Sequence, residues 1–537
     1  MTFCAGIVIA WYATETHIPA PVATELTRYL VARVNPEDGG WGLHTTGESN
    51  VCGTAINYIV LRLLGMGSHH PVMMRARAFL IKHGGAVYSS TWGKVWMAIL
   101  GIMHWDAIHP IPPEAWLLPD WVPFAPWRFY AEMRIVSQPL SYIYSKKWSC
   151  RETELIREIR GEVLVEPFSE IQWKYHRNSV SKIDTKASRS WIMSSLSWAY
   201  LNIWEPYLRT ESLKSKAESW VSQLIDMQDA NTNYVGIAAT DAPLNTIICY
   251  FRDGPDSISY KSHIKRLQEF LWMSKDGMLI NSTNGSQSWD TAFYLQGICA
   301  AGLHKEERWR DMVLKAFRFL DDQQIRENCV DQEKCYRQQR IGCWTFSNRH
   351  QGFAVSDCTA EALKAVILLQ KTPGFPQLLD DQRIFDAIDS MILYQNATGG
   401  VSAFEARRGG EFLELLNPTE IFGRMMVDYD YPECTSSCVT VLALFKTYWP
   451  HYRTVDVNNF IRRGTEWIKF DQRADGSWFG SWGVCFTYAT MFALDALAVV
   501  GEVYDNSKSS RRGCNFLISK QRDDGGWSES FKVTYSP

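Results

Sequence analysis

The chain has 537 residues, with 55 basic side chains against 58 acidic ones and a net charge of −3 spread without long runs. That balance gives no sign of a polyanion-binding surface and argues against nucleic acid as a partner, while the length allows two, three or more domains, each with its own core. The outlying feature is the aromatic content, 23 Trp, 23 Tyr and 25 Phe, which fits either a core of large side chains or a site that needs ring faces.

In chain order, the apolar stretch from Phe3 to Trp11 has no basic leader and is too short to cross a bilayer, so no signal peptide is read. A turn Glu37-Asp38-Gly39-Gly40-Trp41 follows. The polar insertion Lys146 to Lys186, with Arg151, Glu152, Glu154, Arg157, Glu158 and Arg160, reads as a solvated helix face. A boundary near Trp272 to Gly277 divides the chain into domains 1–275 and 276–537.

Helical periodicity then dominates, over Thr359–Leu369, Arg383–Tyr394, Ser436–Tyr448 and Thr487–Val500. Ala489 to Gly501 is apolar but short and interrupted by Asp495, so it is not a membrane span. The turns between helices repeat. Gln472-Arg-Ala-Asp475-Gly476-Ser-Trp478 recurs as Gln521-Arg-Asp-Asp524-Gly525-Gly-Trp527, and more weakly as Gln339-Arg-Ile-Gly342-Cys-Trp344 and Gln395-Asn-Ala-Thr-Gly399-Gly400. Glycines tolerant of positive φ end a helix, the Gln amide bonds free backbone groups, and the Trp covers them. Such helix pairs must stack to bury their faces, as an open solenoid or a closed α/α toroid. Thirteen cysteines, an odd number without CxxC pairs, predict mostly buried thiols.

The sharpest local signal is Val355-Ser356-Asp357-Cys358-Thr359-Ala360-Glu361 at the start of a helical segment. Ser356 or Asp357 could simply cap that helix. In an apolar cavity, however, desolvation keeps a carboxyl protonated and makes it an acid at neutral pH. Glu361, at i+4, puts a second carboxyl on the same helix face, where repulsion or a relaying water would hold a proton in place.

With its Gly-Trp turns, the Asp-Cys-Thr-Ala-Glu run resembles the oxidosqualene cyclase family. The resemblance extends to Gly39-Gly-Trp-Gly42, Ser282-Thr-Asn-Gly-Ser-Gln-Ser-Trp-Asp-Thr-Ala-Phe293, Leu413-Glu-Leu-Leu-Asn-Pro418 and Gly480-Ser-Trp-Gly-Val-Cys-Phe-Thr487. It implies an all-α fold of two α/α toroid domains. It also implies that Asp357 protonates the epoxide of 2,3-oxidosqualene while the thiols of Cys358 and Cys434 hydrogen-bond it. Hopene-forming relatives protonate a less basic alkene and carry further aspartates where this chain has Cys358, so an epoxide is the better fit.

Carbocations need stabilising groups that do not trap them, and ring faces qualify, each contributing about 0.5–2 kcal/mol when desolvated. By resemblance, Trp289, Phe346, Phe422, Trp482 and Trp92 line the cavity; taken singly, each would read as ordinary core. The chain departs from the family pattern at Tyr130, usually Trp, at Glu132, usually the His implicated in the last deprotonation, at Ser137, usually Tyr, and at Phe404, usually Tyr. Family chains also start earlier and run further, so the resemblance implies a chain truncated at both ends with the second toroid incomplete. A monotopic contact with the endoplasmic reticulum membrane or a lipid droplet, on the cytosolic face, is expected for an insoluble substrate.

No cofactor and no metal site are read: HExxH is missing, and Asp321-Asp322 and Asp380-Asp381 lack the third aspartate of a diphosphate-ionising motif. Competing readings are a glycan-active toroid with paired carboxylates, a prenyltransferase subunit, and an inactive or lipid-binding helical-repeat homologue.

Overall fold

The computed structural model describes residues 5–45, 47–482 and 485–529. Gly483 and Val484 of the 480–487 motif, and Phe3 and Cys4 of the N-terminal stretch, lie outside the described residues. The chain forms two compact units, Met1–Asn284 with Gly409–Val427, and Gly285–Arg408 with Asp428–Pro537. The residues read as a boundary, Trp272 to Gly277, fall inside an antiparallel hairpin of β1 (Leu271–Ser274) and β2 (Gly277–Ile280) in the first unit.

The first unit contains α1 (Ala5–Ala13), α2 (Ala20–Ala32), α3 (Val51–Leu63), α4 (Pro71–Lys82), α5 (Thr91–Ile99), α6 (Ala131–Lys146), α7 (Glu154–Val163), α8 (Trp191–Ala199), α9 (Glu211–Thr232), α10 (Asp241–Asp253) and α11 (Ile258–Leu267). Helix α1 is apolar around its whole circumference and nearly every residue is buried, against α3 and α10; the described part of the N-terminal apolar stretch, Ala5 to Trp11, is core. The polar insertion is only partly a solvated face. On α7, Ile156, Ile159 and Val163 are buried, while Glu158 and Glu162 meet the Arg62 guanidinium of α3 at 2.7 and 2.9 Å. Arg62 is buried, so it needs those carboxylates; charge counting could not reveal that α3 supplies the partner.

The second unit contains α12 (Gln287–Ala300), α13 (Glu307–Gln323), α14 (Ser356–Gln370), α15 (Asp381–Ile392), α16 (Pro432–Tyr448), α17 (Thr454–Asp471), α18 (Cys485–Val499) and α19 (Lys508–Lys520). Helices α12, α14, α16 and α18 pack each on the next, and α13, α15, α17 and α19 each back onto an inner helix, which is the α/α arrangement. The inner helices α14 and α16 are buried along most of their length, whereas α13 and α15 bury one stripe, Val313, Phe317 and Leu320 on the first and Ile384, Ile388 and Met391 on the second.

The repeated turns are clamps. The Gln395 amide donates to Gly399 O and Phe460 O, both at 2.9 Å, and the Gln472 amide to Gly476 O and Ser509 O, both at 2.9 Å. Each therefore ties its own turn to the first turns of the next outer helix. The indole N–H of Trp41, Trp344, Trp478 and Trp527 caps a free carbonyl of the preceding helix, Leu30, Leu320, Ile468 and Leu517 respectively. One copy differs from the sequence reading. The clamping amide for Gly342 and Trp344 is Gln324, which donates to Gly342 O at 2.9 Å and Arg383 O at 3.0 Å, while Gln339 donates to Ser390 Oγ at 3.0 Å. The loop between Gln324 and Gly342 loops out, so the pair that is adjacent in space is distant in sequence.

Candidate active site

Val355 is extended and starts α14, so Asp357 lies inside the first turn rather than at the cap, and no side chain caps this helix. Its Oδ1 accepts the backbone N–H of Cys358 at 2.7 Å, and the Cys358 thiol bonds the same carboxylate. The carboxyl is buried, 6% exposed. Burial pushes its pKa up to about 6; the Cys358 N–H and thiol pull it back, and the charge of Glu361 raises it again. The result is an acid that still holds its proton in a useful fraction of molecules near neutrality, with donors ready for the anion.

Glu361 is fixed by Gln296 of α12, whose amide donates to Glu361 Oε2 at 2.7 Å and to its main-chain oxygen at 3.0 Å. Cys434, on α16, is fully buried; its thiol pairs with the hydroxyl of Ser356, and its pKa is pushed well up by burial and then by the Asp357 charge. The Asp357 charge thus reaches this thiol, and its hydrogen-bond partner is the acid's chain neighbour. Cys438, one turn on, donates to Ser356 O at 3.8 Å. The Ser356 hydroxyl donates in turn to Ser402 O at 2.7 Å and its backbone N–H to Ala403 O at 2.8 Å, immediately before Phe404 in the chain.

Three groups around Asp357 escaped sequence reasoning. Glu433, beside Cys434, is fully buried, and burial followed by the Asp357 charge pushes its pKa up to about 7. Its Oε1 accepts the backbone N–H of Trp482 at 3.4 Å, and a Cβ at Gly480 would fall on this carboxyl. The phenol of Tyr488 on α18 is raised far above its ordinary value by burial and by the charges of Asp357 and Glu433. Cys438 is the third. Adjacency to Cys434 was a usable signal for Glu433, and the i+4 spacing for Cys438; nothing short of the fold brings Tyr488 here.

The expected rings of this unit are placed as follows. Trp289 is half-buried, with Phe293, Phe346 and Phe492 at centroid distances of 4.6, 6.1 and 6.4 Å. Phe492 also meets Tyr488 at 4.9 Å, so the rings lead from Trp289 to the phenol beside the acid. Trp482 lies on Tyr431 at 4.6 Å, and Phe404 stands edge-on to Phe353 at 6.1 Å with its N–H on Asp428 Oδ2 at 3.0 Å.

The other expected residues belong to the first unit. Trp92 on α5 is edge-on to Trp96 at 5.6 Å, the Tyr130 N–H donates to Met426 O at 2.9 Å, and the Phe422 carbonyl accepts from Asn417 at 2.7 Å. Glu132 opens α6; burial, with the Asp241 charge adding, pushes its carboxyl up to about 7.

An enclosed acid, a backbone N–H and a thiol that hydrogen-bond its anion, and a run of ring faces inside paired α/α helices equip a protein for acid-initiated carbocation chemistry. The squalene-hopene cyclase N-terminal domain profile matches residues 1–276 and the squalene-hopene cyclase C-terminal domain profile matches residues 286–536, and the chain belongs to that cyclase family. It is 54% identical over 517 residues to lanosterol synthase ERG7 of Gibberella zeae, covering 96% of this chain and 68% of that one. It is 56% identical over 509 residues to lanosterol synthase erg7B of Aspergillus fumigatus, covering 95% and 71%. It is also 42% identical over 527 residues to the terpene cyclase/mutase ntnI of Nectria sp, covering 98% and 72%.

Proposed function

We propose that this chain converts 2,3-oxidosqualene into a polycyclic triterpene or sterol precursor. The observation that carries the reading is the buried Asp357 carboxyl, with a pKa of about 6 and donors for its anion. Its proton passes to the oxirane oxygen as a ring C–O bond breaks, leaving a hydroxyl and a tertiary cation. Alkene π pairs then close successive C–C bonds, and the charge moves along the chain until a C–H proton is lost. Trp289, Phe346, Trp482 and Phe404 stabilise the moving charge without trapping it, about 0.5–2 kcal/mol per ring. Glu361, held by Gln296, returns a proton to Asp357 through water. Trp92, Tyr130, Glu132 and Phe422 are the proposed substrate contacts of the first unit; Glu132 and Phe404, which depart from the family pattern, bear on which product leaves.

Thiols beside the acid favour the epoxide, since an alkene demands a much stronger acid. Purified protein is expected to consume 2,3-oxidosqualene and to leave squalene unchanged under the same conditions. Conversion of squalene alone, or of neither compound, would remove this reading.

Substrate delivery from a lipid surface is supported by a patch in the first unit. Helix α8 continues as a π-helical segment, Tyr200–Leu208, and Trp191, Trp198, Tyr207 and Leu208 are 76, 60, 81 and 55% exposed. Phe412 and Leu415, on the short helix that packs against α8, are exposed too. An apolar surface of this kind with aromatic rings suits one leaflet. Among the described residues no helix is long and apolar enough to cross a membrane. We place the chain on the cytosolic face of the endoplasmic reticulum or a lipid droplet. Trp198→Glu with Leu208→Glu is expected to reduce co-sedimentation with phosphatidylcholine vesicles roughly tenfold; unchanged co-sedimentation would rule the patch out.

A further inference from the structure

The first unit holds a second enclosed cluster that the proposed reaction does not use. Asp229 on α9, Cys249 on α10 and His263 on α11 come together with their side chains buried. His263 Nε2 lies 3.0 Å from Asp229 Oδ2 and Cys249 Sγ lies 3.9 Å from that same oxygen; all three donor atoms are within 4.8 Å of one another. Asn245, one turn before Cys249, donates to Asp229 Oδ1 at 3.0 Å. That bond fixes the carboxylate and leaves Oδ2 facing the thiol and the imidazole. Asn245 is itself 1% exposed, and its Oδ1 has no partner among the described residues.

We propose that Asp229, Cys249 and His263 form a structural zinc site that ties α9, α10 and α11 together. Thiolate, imidazole and carboxylate are the donor set zinc prefers, and tetrahedral zinc, with bonds of about 2.0–2.3 Å, separates its ligand atoms by about 3.3–3.7 Å. The two measured separations straddle that range, so small side-chain rotations suffice. Asn245 Oδ1 or a water completes the tetrahedron.

The charge balance also favours the ion. Binding forms Zn–S, Zn–N and Zn–O bonds; the Cys249 thiol proton leaves to solvent, and His263 Nε2, which faces Asp229 Oδ2 at 3.0 Å, gives up the proton it carries so that its lone pair meets the ion. A divalent cation with thiolate, carboxylate and neutral imidazole is net zero, so the loaded site buries no net charge. No sequence pattern announces the site, because its ligands come from three successive helices and share no short spacing.

The test is made on the whole chain, loaded with zinc sulfate and passed through gel filtration. Metal analysis is expected to give about one zinc per chain for the wild type and less than about a tenth for Cys249→Ser, with helical circular dichroism unchanged. Cobalt loading of the wild type is expected to give a thiolate-to-cobalt charge-transfer band in the near ultraviolet, which decides the matter even if the variant fails to fold. Zinc-free wild type after loading, no cobalt–thiolate band, or equal zinc in Cys249→Ser would overturn the proposal and leave the trio as a closed ion pair with a thiol beside it.

Discussion

Asp357→Asn is expected to lower turnover of 2,3-oxidosqualene by at least about a thousandfold while making the protein more stable above neutral pH. The amide offers no acidic proton, and general-acid contributions are on the order of 10²–10⁴-fold even before the lost coupling to C–O cleavage is counted. The stability change follows from the raised pKa. A carboxyl lifted from 3.8 to about 6 binds its proton more tightly folded than unfolded. Stability therefore falls as pH rises from about 4 to 6, and the full cost of the buried anion is present above that window. Each unit corresponds to about 1.4 kcal/mol, so removing the charge is worth about 1–3 kcal/mol at pH 8 and close to nothing at pH 4. Thermal melts at the two pH values read this directly. A variant that is less stable at pH 8, or one that keeps turning over, is incompatible with a sequestered acid.

Gly342→Ala is expected to cost about 3–5 kcal/mol, enough to deplete folded protein at 37 °C. Gly342 has φ +82, a conformation that penalises any Cβ, and the added carbon would fall on the backbone nitrogen of Ala387 and within 2.5 Å of the carbonyl carbon of Asp386. Both atoms belong to α15, so relief requires moving a helix that Gln324 has clamped in place. Gly374 serves as the control. It has φ +84, but the nearest atom to its added Cβ is a guanidinium nitrogen of Arg310 at 3.9 Å, so Gly374→Ala is expected to cost only about 1 kcal/mol of backbone strain. Urea denaturation of the pair separates strain from packing; equal losses would show that the clamp is not tightly packed.

The helices were legible because their apolar periodicity is local, and the periodic stretches fall within α14 to α18 with shifts of a few residues at their ends. The clamps were legible where Gln and Gly sit in one turn, as at Gln395 and Gln472. They were not legible at Gln324, whose glycine lies beyond a looped-out segment. The boundary read at Trp272 to Gly277 lies in the hairpin Leu271–Ile280, a few residues before the second unit begins at Gly285; the turn between two four-residue strands carries no periodicity that would place it in either domain. At the site, the Asp357 motif stood out as a contiguous run. Glu433 and Tyr488 did not, since their bearing on Asp357 depends on α16 and α18 packing beside α14 and on a strap, residues 480–482, that the helix order alone does not position. Cys434 illustrates the same limit in finer detail: its place beside the acid is set by helix packing, but its hydrogen-bond partner is Ser356.

The claim that Asp357 is the proton donor is tested most directly by the pH dependence of kcat/KM for 2,3-oxidosqualene, which reports the acid of the free enzyme. With a pKa of about 6, the rate is expected to be flat below that pH and to fall about tenfold per unit above it. Glu361→Gln, which removes the neighbouring charge that raises Asp357, is expected to move the falling limb to lower pH. A rate that stays constant or climbs up to pH 8, or a limb that Glu361→Gln leaves in place, would contradict the account.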